Sequence, residues 1–303
     1  MTFNTIDLST AETQYYLQHI VAPRPVCFAS TTDKNGNVNL SPFSFFNLFS
    51  SNPPVVVFSP VRRIRDNSEK HTLENLREVP EVVINIVTFD MVQQVSLSSC
   101  DYPKGTDEFL KSGFTKQKAS IVKPPMVKES RAKLECRVIE IKSLGEKGGA
   151  GQLVIAEVVC FHINDELLST DKKFMQEKFE LIARLGCDWY ARISPATLFK
   201  VEKPNLRLGV GMDALPAEIK NSSVLTGNHL GQLANVHALP SQMSEFCDSR
   251  LDALCYYFKE DNKTARVHTY AKELLDEGKI DQAWQVLLSV TKEYIKNATW
   301  ETN

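Results

Sequence analysis

The chain has 303 residues, of which 43% are hydrophobic and 24% charged; these are globular values that exclude global disorder and allow one large domain or two ordinary ones. Thirty-five lysines and arginines against 37 acidic residues leave a formal charge of −2, without the basic surplus of a nucleic-acid binder. No stretch approaches the roughly 18 consecutive apolar residues of a membrane span, and the N-terminus lacks the cationic start and apolar run of a signal peptide, so a soluble, cytoplasmic protein is expected.

Up to about residue 200 the pattern is one of short strands joined by turns. A strand is expected over Pro25 to Thr31, turning at Asp33 to Asn37, where Asn35-Gly36 is the strongest short-range hairpin signal, and returning from Val38. Further strands are expected over Ser44 to Phe49, over Val55 to Ser59 after the strand-breaking Pro53-Pro54, and over Glu81 to Val87. The spacing of Leu73 and Leu76 places a short helix within Lys70 to Val79. A long hairpin follows, Arg131 to Leu144 and Gln152 to Ile163, around the glycine-rich turn Gly145 to Gly151. Its first arm alternates imperfectly between apolar residues (Leu134, Cys136, Val138, Ile141) and charged ones, as on a sheet covered on one side. Many short strands linked by hairpins point to a barrel rather than to alternating βα units.

The remainder differs, so the expected division is a barrel domain over 1–200 and a loop plus helical C-terminal extension over 201–303. Glu202 to Asn221 has loop character, with Pro204, Gly209, Gly211 and Pro216, and Leu251 to Thr299 is helical. Ala271 to Trp284 has the form of one helix-turn-helix unit of the tetratricopeptide kind, with Gly278 closing its first helix. A solenoid needs about three such units, so a helical tail packed on the barrel or on a partner is the simpler reading.

Seven cysteines (Cys27, Cys100, Cys136, Cys160, Cys187, Cys247, Cys255) form no C-x-x-C pair, and Cys27, Cys136 and Cys160 lie in apolar strands, where small buried hydrophobe is the better reading. The six histidines form no cluster at metal-ligand spacing, so no metal site is expected; His162, His229 and His237 are read as structural. There is no phosphate-binding P-loop, no H-E-x-x-H and no G-x-S-x-G. Gly209 to Ala214 matches the loose G-x-G-x-x-A form of the dinucleotide fingerprint, but Pro216 falls in the required helix and the preceding strand is too short.

The segment Asn39 to Asn47 packs three aromatics, two serines and two asparagines into nine residues. Apolar faces with hydroxyls and amides beside them suit a flat heteroaromatic ligand; a strand-turn-strand with alternating faces is the plain alternative. About twenty residues on, Arg62, Arg63, Arg65 and Lys70 lead to the start of a helix at His71 and Thr72. Cations, a hydroxyl and first-turn amides are what a phosphate binds, although a solvated basic loop has the same composition. Taken together the two segments describe a mononucleotide such as FMN.

These segments closely resemble the flavin reductase-like, FMN-binding split-barrel family: Pro23 to Val26, Asp33 to Gly36, Asn39 to Asn47 and Pro53 to Ser59. Downstream, Lys70-x-Thr72-x-x-Asn75, Val83-x-Asn85, Tyr102 to Phe109 with Gly113, Leu134 to Cys136, and Arg184 to Gly186 with Tyr190 extend the resemblance in order from about residue 15 to 200. The resemblance implies a mainly β protein, a six-stranded antiparallel split β-barrel with flanking helices, forming a homodimer with FMN near the subunit interface. It carries ring and ribityl contacts to Ser41, Ser44, Phe46 and Asn47, and phosphate contacts to Ser59, Arg62, Lys70 and Thr72. One departure is His71, where the family commonly has Asp; a histidine can itself face a phosphate. Gly209 to Pro216 and Ser223 to Ala234 resemble an extension found in a subset of the family.

The resemblance further implies an oxidoreductase that takes a hydride from NADH or NADPH onto FMN and passes electrons to a second flavin, a quinone-like acceptor or a redox protein. Because that chemistry belongs to the cofactor, no side chain is named as a catalyst. Donors from Ser44 to Asn47 are expected to stabilise the reduced ring, and Arg184 to meet the nicotinamide nucleotide or serve the interface. A rival reading is a non-catalytic flavoprotein, an electron carrier or sensor whose helical tail binds a partner; a third is a barrel that has lost its ligand.

Overall fold

The computed structural model describes residues 1–201, 208–243, 245–258 and 260–291. The chain divides into two compact units, Met1–Phe199 and Lys200–Asn303. No helix among the described residues is long and apolar enough to cross a membrane.

The first unit is built on one antiparallel sheet of seven strands: β1 (Cys27–Thr32), β2 (Val38–Phe43), β3 (Phe46–Ser51), β4 (Pro54–Phe58), β5 (Glu81–Ile86), β6 (Ala132–Ser143) and β7 (Gln152–Ile163). Their order across the sheet is β2-β1-β5-β6-β7-β4-β3. The β1–β2 turn follows its sequence: Gly36 sits at φ +85°, and the Asp33 carboxylate accepts from the Asn35 and Asn37 backbone amides. Those bonds, led by the one from the Asn37 side chain, hold the Asp33 carboxyl below its ordinary range.

Strands β2 and β3 lie at opposite edges of this sheet, yet only Ser44 and Phe45 separate them in sequence. Three Cα steps span at most about 11 Å. Seven strands laid flat would hold the two edges about 29 Å apart. The sheet therefore curls until its edges meet at one end, and there the Phe43 and Phe58 rings face each other at 5.2 Å. Phe43, Phe58, Cys27, Ala29, Val56, Ile84, Cys136, Val154 and Ala156 fill the interior of the curl. No ladder joins β2 to β3, so the expected six-stranded barrel is corrected to a seven-stranded sheet, curled but not hydrogen-bonded shut. The extra strand is β3, which pairs only with β4 through the Ser51–Pro54 hairpin.

Strand β1 is buried along its whole length because both its faces are covered. Cys27 and Ala29 point into the curl, while Phe28 packs outside against Phe114 at 5.2 Å, edge to face, with Leu40, Val95 and Phe109 beside it. The helices of this unit are α1 (Thr10–Ile20), α2 (His71–Glu78), α3 (Val92–Ser98) and α4 (Glu108–Ser112). Ser9 and Glu12 form a capping box at the start of α1.

The second unit holds α5 (Gly227–Ala234), α6 (Ser249–Tyr257), α7 (Glu260–Asp276) and α8 (Ile280–Leu288), packed around Leu233, Leu251, Val267, Ala271, Leu275 and the fully buried Trp284. Gly278 ends α7 at φ +74°, with its amide and that of Lys279 reaching back to Leu275 and Leu274 at 3.0 and 2.8 Å. This is a Schellman turn, which a residue bearing a Cβ would strain. Gly211, at φ +83°, leads only into a three-residue 3₁₀ turn, so no helix opens there for a dinucleotide. Residues 202–207 and the end of the expected helical stretch, from 292 onward, lie outside the described residues.

Candidate functional site

A buried polar chain joins α2, β2 and α4. The Thr72 hydroxyl donates to Asn39 Oδ1 at 2.7 Å, Asn39 Nδ2 donates to Glu108 Oε1 at 2.9 Å, and the Leu40 amide donates to Glu108 Oε2 at 3.0 Å. Burial pushes the Glu108 carboxyl above its ordinary value, with the bonds from Leu40 and Asn39 working against that rise. Each member satisfies its neighbour, so the chain fixes the first turn of α2 against the open edge of the sheet.

In front of this wall lies an open cleft, whose roughly 410 Å³ of empty space includes the solvent at its mouth. Asn39, Ser41, Pro42 and Phe43 form one side, Lys70 and His71 the helix end, Ser99 to Tyr102 the facing loop, and Arg63 and Glu108 complete it. Lys70 stands at the N-cap of α2, where no side chain caps the helix. Burial pushes the His71 imidazole below its ordinary value, so it is neutral near pH 7 and the fixed positive charge comes from Arg63 and Lys70.

Those cations converge on a single anion. Asp101 receives Arg63 Nε at 3.0 Å and Arg65 Nη2 at 2.8 Å, with Lys70 Nζ at 3.6 Å. Burial works to raise its carboxyl, but the bond from Arg63 and the charges of Lys70, Arg63 and Arg65 outweigh that and hold it below the usual range. Two guanidiniums and an ammonium beside an uncapped helix start are groups that could hold an anion such as a phosphate.

The basic loop is held by the glycine-rich turn of the β6–β7 hairpin. The Arg62 amide donates to Ala150 O, and the Gly149 amide to Arg62 O, both at 2.9 Å. A Cβ on Gly148 would lie 2.9 Å from Arg63 O, and one on Gly149, which sits at φ +91°, 2.6 Å from Thr10 Cγ2. Gly148 therefore lets two backbones approach to contact, and Gly149 supplies the positive φ of the turn.

Of the eight residues expected to hold the cofactor, Ser41 and Lys70 line the cleft. Thr72 lies behind its wall, fully buried with its hydroxyl proton given to Asn39. Arg62 turns away to Asn67 and Glu69, and its neighbour Arg63 takes the cleft position. Consecutive residues of extended chain point to opposite sides, so without knowing which side is inward the sequence could not choose between them. Phe46 packs against the interior of the curl, Asn47 accepts from the Leu48 amide at 2.8 Å, and Ser59 is buried beside Gly151; these three and Ser44 are not among the cleft-lining residues. Arg184 pairs with Arg24 in a small separate sheet and lies 4.5 Å over the Tyr190 ring. Asp101 and Glu108 are functional candidates that sequence reasoning missed, while Asn39, Arg63 and His71 lay in the two segments it singled out without being assigned a contact.

Cys160 departs from its expected place. It is half-buried rather than part of the interior, with its sulfur 3.7 Å from His162 Nε2, which in turn lies 2.6 Å from Glu135 Oε1.

Comparison with known proteins gives a consistent answer. The model of a family described as flavin reductase like domain matches residues 20–180. Protein BH2278 of Halalkalibacterium halodurans is 33% identical over 208 residues, which is 68% of this chain and 98% of the relative. Among solved structures, nitrilotriacetate monooxygenase component B from Bacillus cereus is 27% identical with a TM-score of 0.62, covering 66% of this chain and 98% of that one. A split-barrel protein assigned as a flavin reductase, from Shewanella frigidimarina, is also 27% identical, with a TM-score of 0.57 over 67% of this chain and 99% of that one.

Proposed function

Because the chain belongs to the flavin reductase-like family, we propose that it binds FMN in the cleft between β2 and the start of α2 and works as an NAD(P)H-dependent flavin reductase. The observation that supports this reading is the convergence of Arg63, Arg65 and Lys70 on the Asp101 carboxylate at the uncapped N-terminus of α2. A phosphate dianion is a better partner for that set than one carboxylate, since it offers more acceptor oxygens and more charge to the same donors. In this reading Arg63 and Lys70 hold the phosphate, while Ser41 offers a hydroxyl to the ribityl chain and Phe43 and Tyr102 offer apolar faces beside it. Glu108, Asn39 and Thr72 keep the wall in place.

Bound FMN would supply the hydride-accepting chemistry, and the protein would supply position and charge. The electron donor is NADH or NADPH, and the acceptor a small molecule such as a second flavin, or a redox protein. A homodimer completes the proposal: β3 is an edge strand that exposes Leu48 and Phe49, 62% and 67% accessible, and such an edge calls for a cover.

The test is to purify the protein, add FMN, and follow flavin absorbance and steady-state oxidation of NADH and NADPH with flavin, quinone and ferric acceptors. Saturable FMN binding with turnover supports the reading. Flavin binding without turnover on any acceptor would make the protein an electron carrier, and failure to take up FMN would remove both.

A further inference from the structure

Strands β6 and β7 place three ligand-type side chains together on the outer face of the sheet, away from the residues lining the cleft. Cys160 lies directly opposite Glu135 in the ladder, and a bulge between Val158 and Cys160 inserts Val159 just before it. The inserted residue resets the alternation, so that Cys160 and His162, two apart, share the face of Glu135. One ligand atom from each of Glu135, Cys160 and His162 lies within 4.8 Å of the others, and this is the one such trio found among the described residues.

The details separate a metal site from a catalytic relay. In a Cys-His-carboxylate relay the two ring nitrogens divide the work, one facing the sulfur and the other the carboxylate. Here both partners face the same atom, His162 Nε2, with Cys160 Sγ at 3.7 Å and Glu135 Oε1 at 2.6 Å. The orienting contact of a relay, a carboxylate on the ring nitrogen opposite the sulfur, is therefore not made here. That nitrogen can, with the sulfur and the oxygen, point at a common centre.

Glu135 is prepared for this. It is fully buried, and its carboxylate is held by the backbone amides of Ser120 (2.8 Å), Ile121 (2.6 Å) and Val122 (3.0 Å). These three bonds would remain when a cation entered, because only the direction now taken by the His162 hydrogen bond is needed for coordination. Bond lengths of about 2.3 Å to sulfur and 2.0 Å to nitrogen at a tetrahedral ion put S and N roughly 3.5 Å apart, close to the spacing present; the N to O distance would open by about 0.8 Å. The His162 side chain is 31% exposed, which leaves a route to solvent for entry and for a fourth ligand.

We propose that Glu135, Cys160 and His162 form a binding site for a single zinc-class divalent cation, with the fourth position taken by water. Thiolate, imidazole and carboxylate together suit Zn²⁺ and disfavour Mg²⁺ and Ca²⁺, which select oxygen. Binding removes the thiol proton from Cys160, so at least one proton is released per ion. The bound ion would tie β6 and β7 to the 120–122 loop.

The experiment uses the full chain, reduced and flavin-free, titrated with Co²⁺ as a coloured stand-in for zinc and then with Zn²⁺ as competitor. The expected result is one equivalent of Co²⁺, a sulfur-to-cobalt charge-transfer band, displacement by Zn²⁺, and protection of Cys160 from alkylation mapped by mass spectrometry. Cys160→Ser should abolish the band, His162→Gln should weaken binding at least about tenfold, and Cys247→Ser, at an exposed cysteine in the second unit, should leave it intact. Glu135→Gln removes the acceptor of three amides and can unfold the loop, so the test rests on Cys160→Ser. A band that persists in Cys160→Ser, or wild-type protein showing neither the band nor protection of Cys160, overturns the proposal.

Discussion

Thr72→Val separates a structural from a ligand-binding role for a residue that the family resemblance assigns to the phosphate. The substitution keeps the side chain's shape and removes only the hydroxyl, which donates to Asn39 Oδ1 at 2.7 Å from a fully buried position. Asn39 Oδ1 is then left with the Ser41 hydroxyl at 3.5 Å, the limit of a hydrogen bond. A buried acceptor deprived of its neutral donor costs about 1 to 3 kcal/mol. For a unit of this size each kcal/mol shifts the midpoint by roughly 2 to 4 °C, so the drop in Tm should be on the order of 6 °C. Thermal and urea unfolding without flavin measure it. The affinity for FMN, followed by quenching of flavin fluorescence, should change by less than about threefold, well short of the loss expected from removing a charge-assisted contact. Unchanged stability together with a loss of affinity of about tenfold or more would refute the reasoning and return the hydroxyl to the ligand.

Arg63→Ala should weaken FMN binding by about 10- to 100-fold, the worth of a charge-assisted hydrogen bond, while Arg62→Ala should change it by only a few-fold; parallel titrations of the two variants decide. Asp101→Asn removes the anion that occupies the cations, so FMN affinity should rise, by up to about fivefold given that these ion pairs are partly exposed. The preference should also fade with acid. Asp101's carboxyl is held below its ordinary value, so its grip on the cations is complete above the usual carboxylate range and is lost as pH falls through the lowered value. The wild type and Asp101→Asn should therefore converge in affinity at low pH. Gly149→Val should destabilise the first unit by more than about 1 kcal/mol in denaturant unfolding, since the residue sits at φ +91° and its Cβ would strike Thr10.

The strands were legible because their signals are local. Asp33 to Gly36 names a hairpin by its own turn chemistry, and the two arms around Gly145 to Gly151 match β6 and β7 closely. Gly278 likewise announced the end of a helix. The short helices α3 and α4 escaped, as did α5, whose cap uses His229 in place of the usual acid: the Thr226 amide donates to His229 Nδ1 at 3.0 Å. Apart from α2, which Leu73 and Leu76 announced, the segments of five to eight residues carried too few periods to declare themselves.

The candidate site was legible as a neighbourhood but not as a list of residues. Composition alone located a polar-aromatic strand and a basic stretch leading into a helix, and the order of the motifs pointed to the family. Which arginine faces the cleft depends on which side of an extended segment is inward, and that is set by the backbone pairing of Arg62 with Ala150 from a turn nearly ninety residues away in sequence. The use of Thr72's hydroxyl depends on Asn39 and Glu108, each from a different element. Sequence by itself determined most of the strands, the strand-rich class and the family, because those follow from neighbours along the chain and from the order of motifs. Only the tertiary structure decided that seven strands curl into an open barrel, that Asp101 gathers the cations, and that Cys160 stands beside His162 and Glu135, because long-range pairing and a single inserted residue choose the face on which each side chain appears.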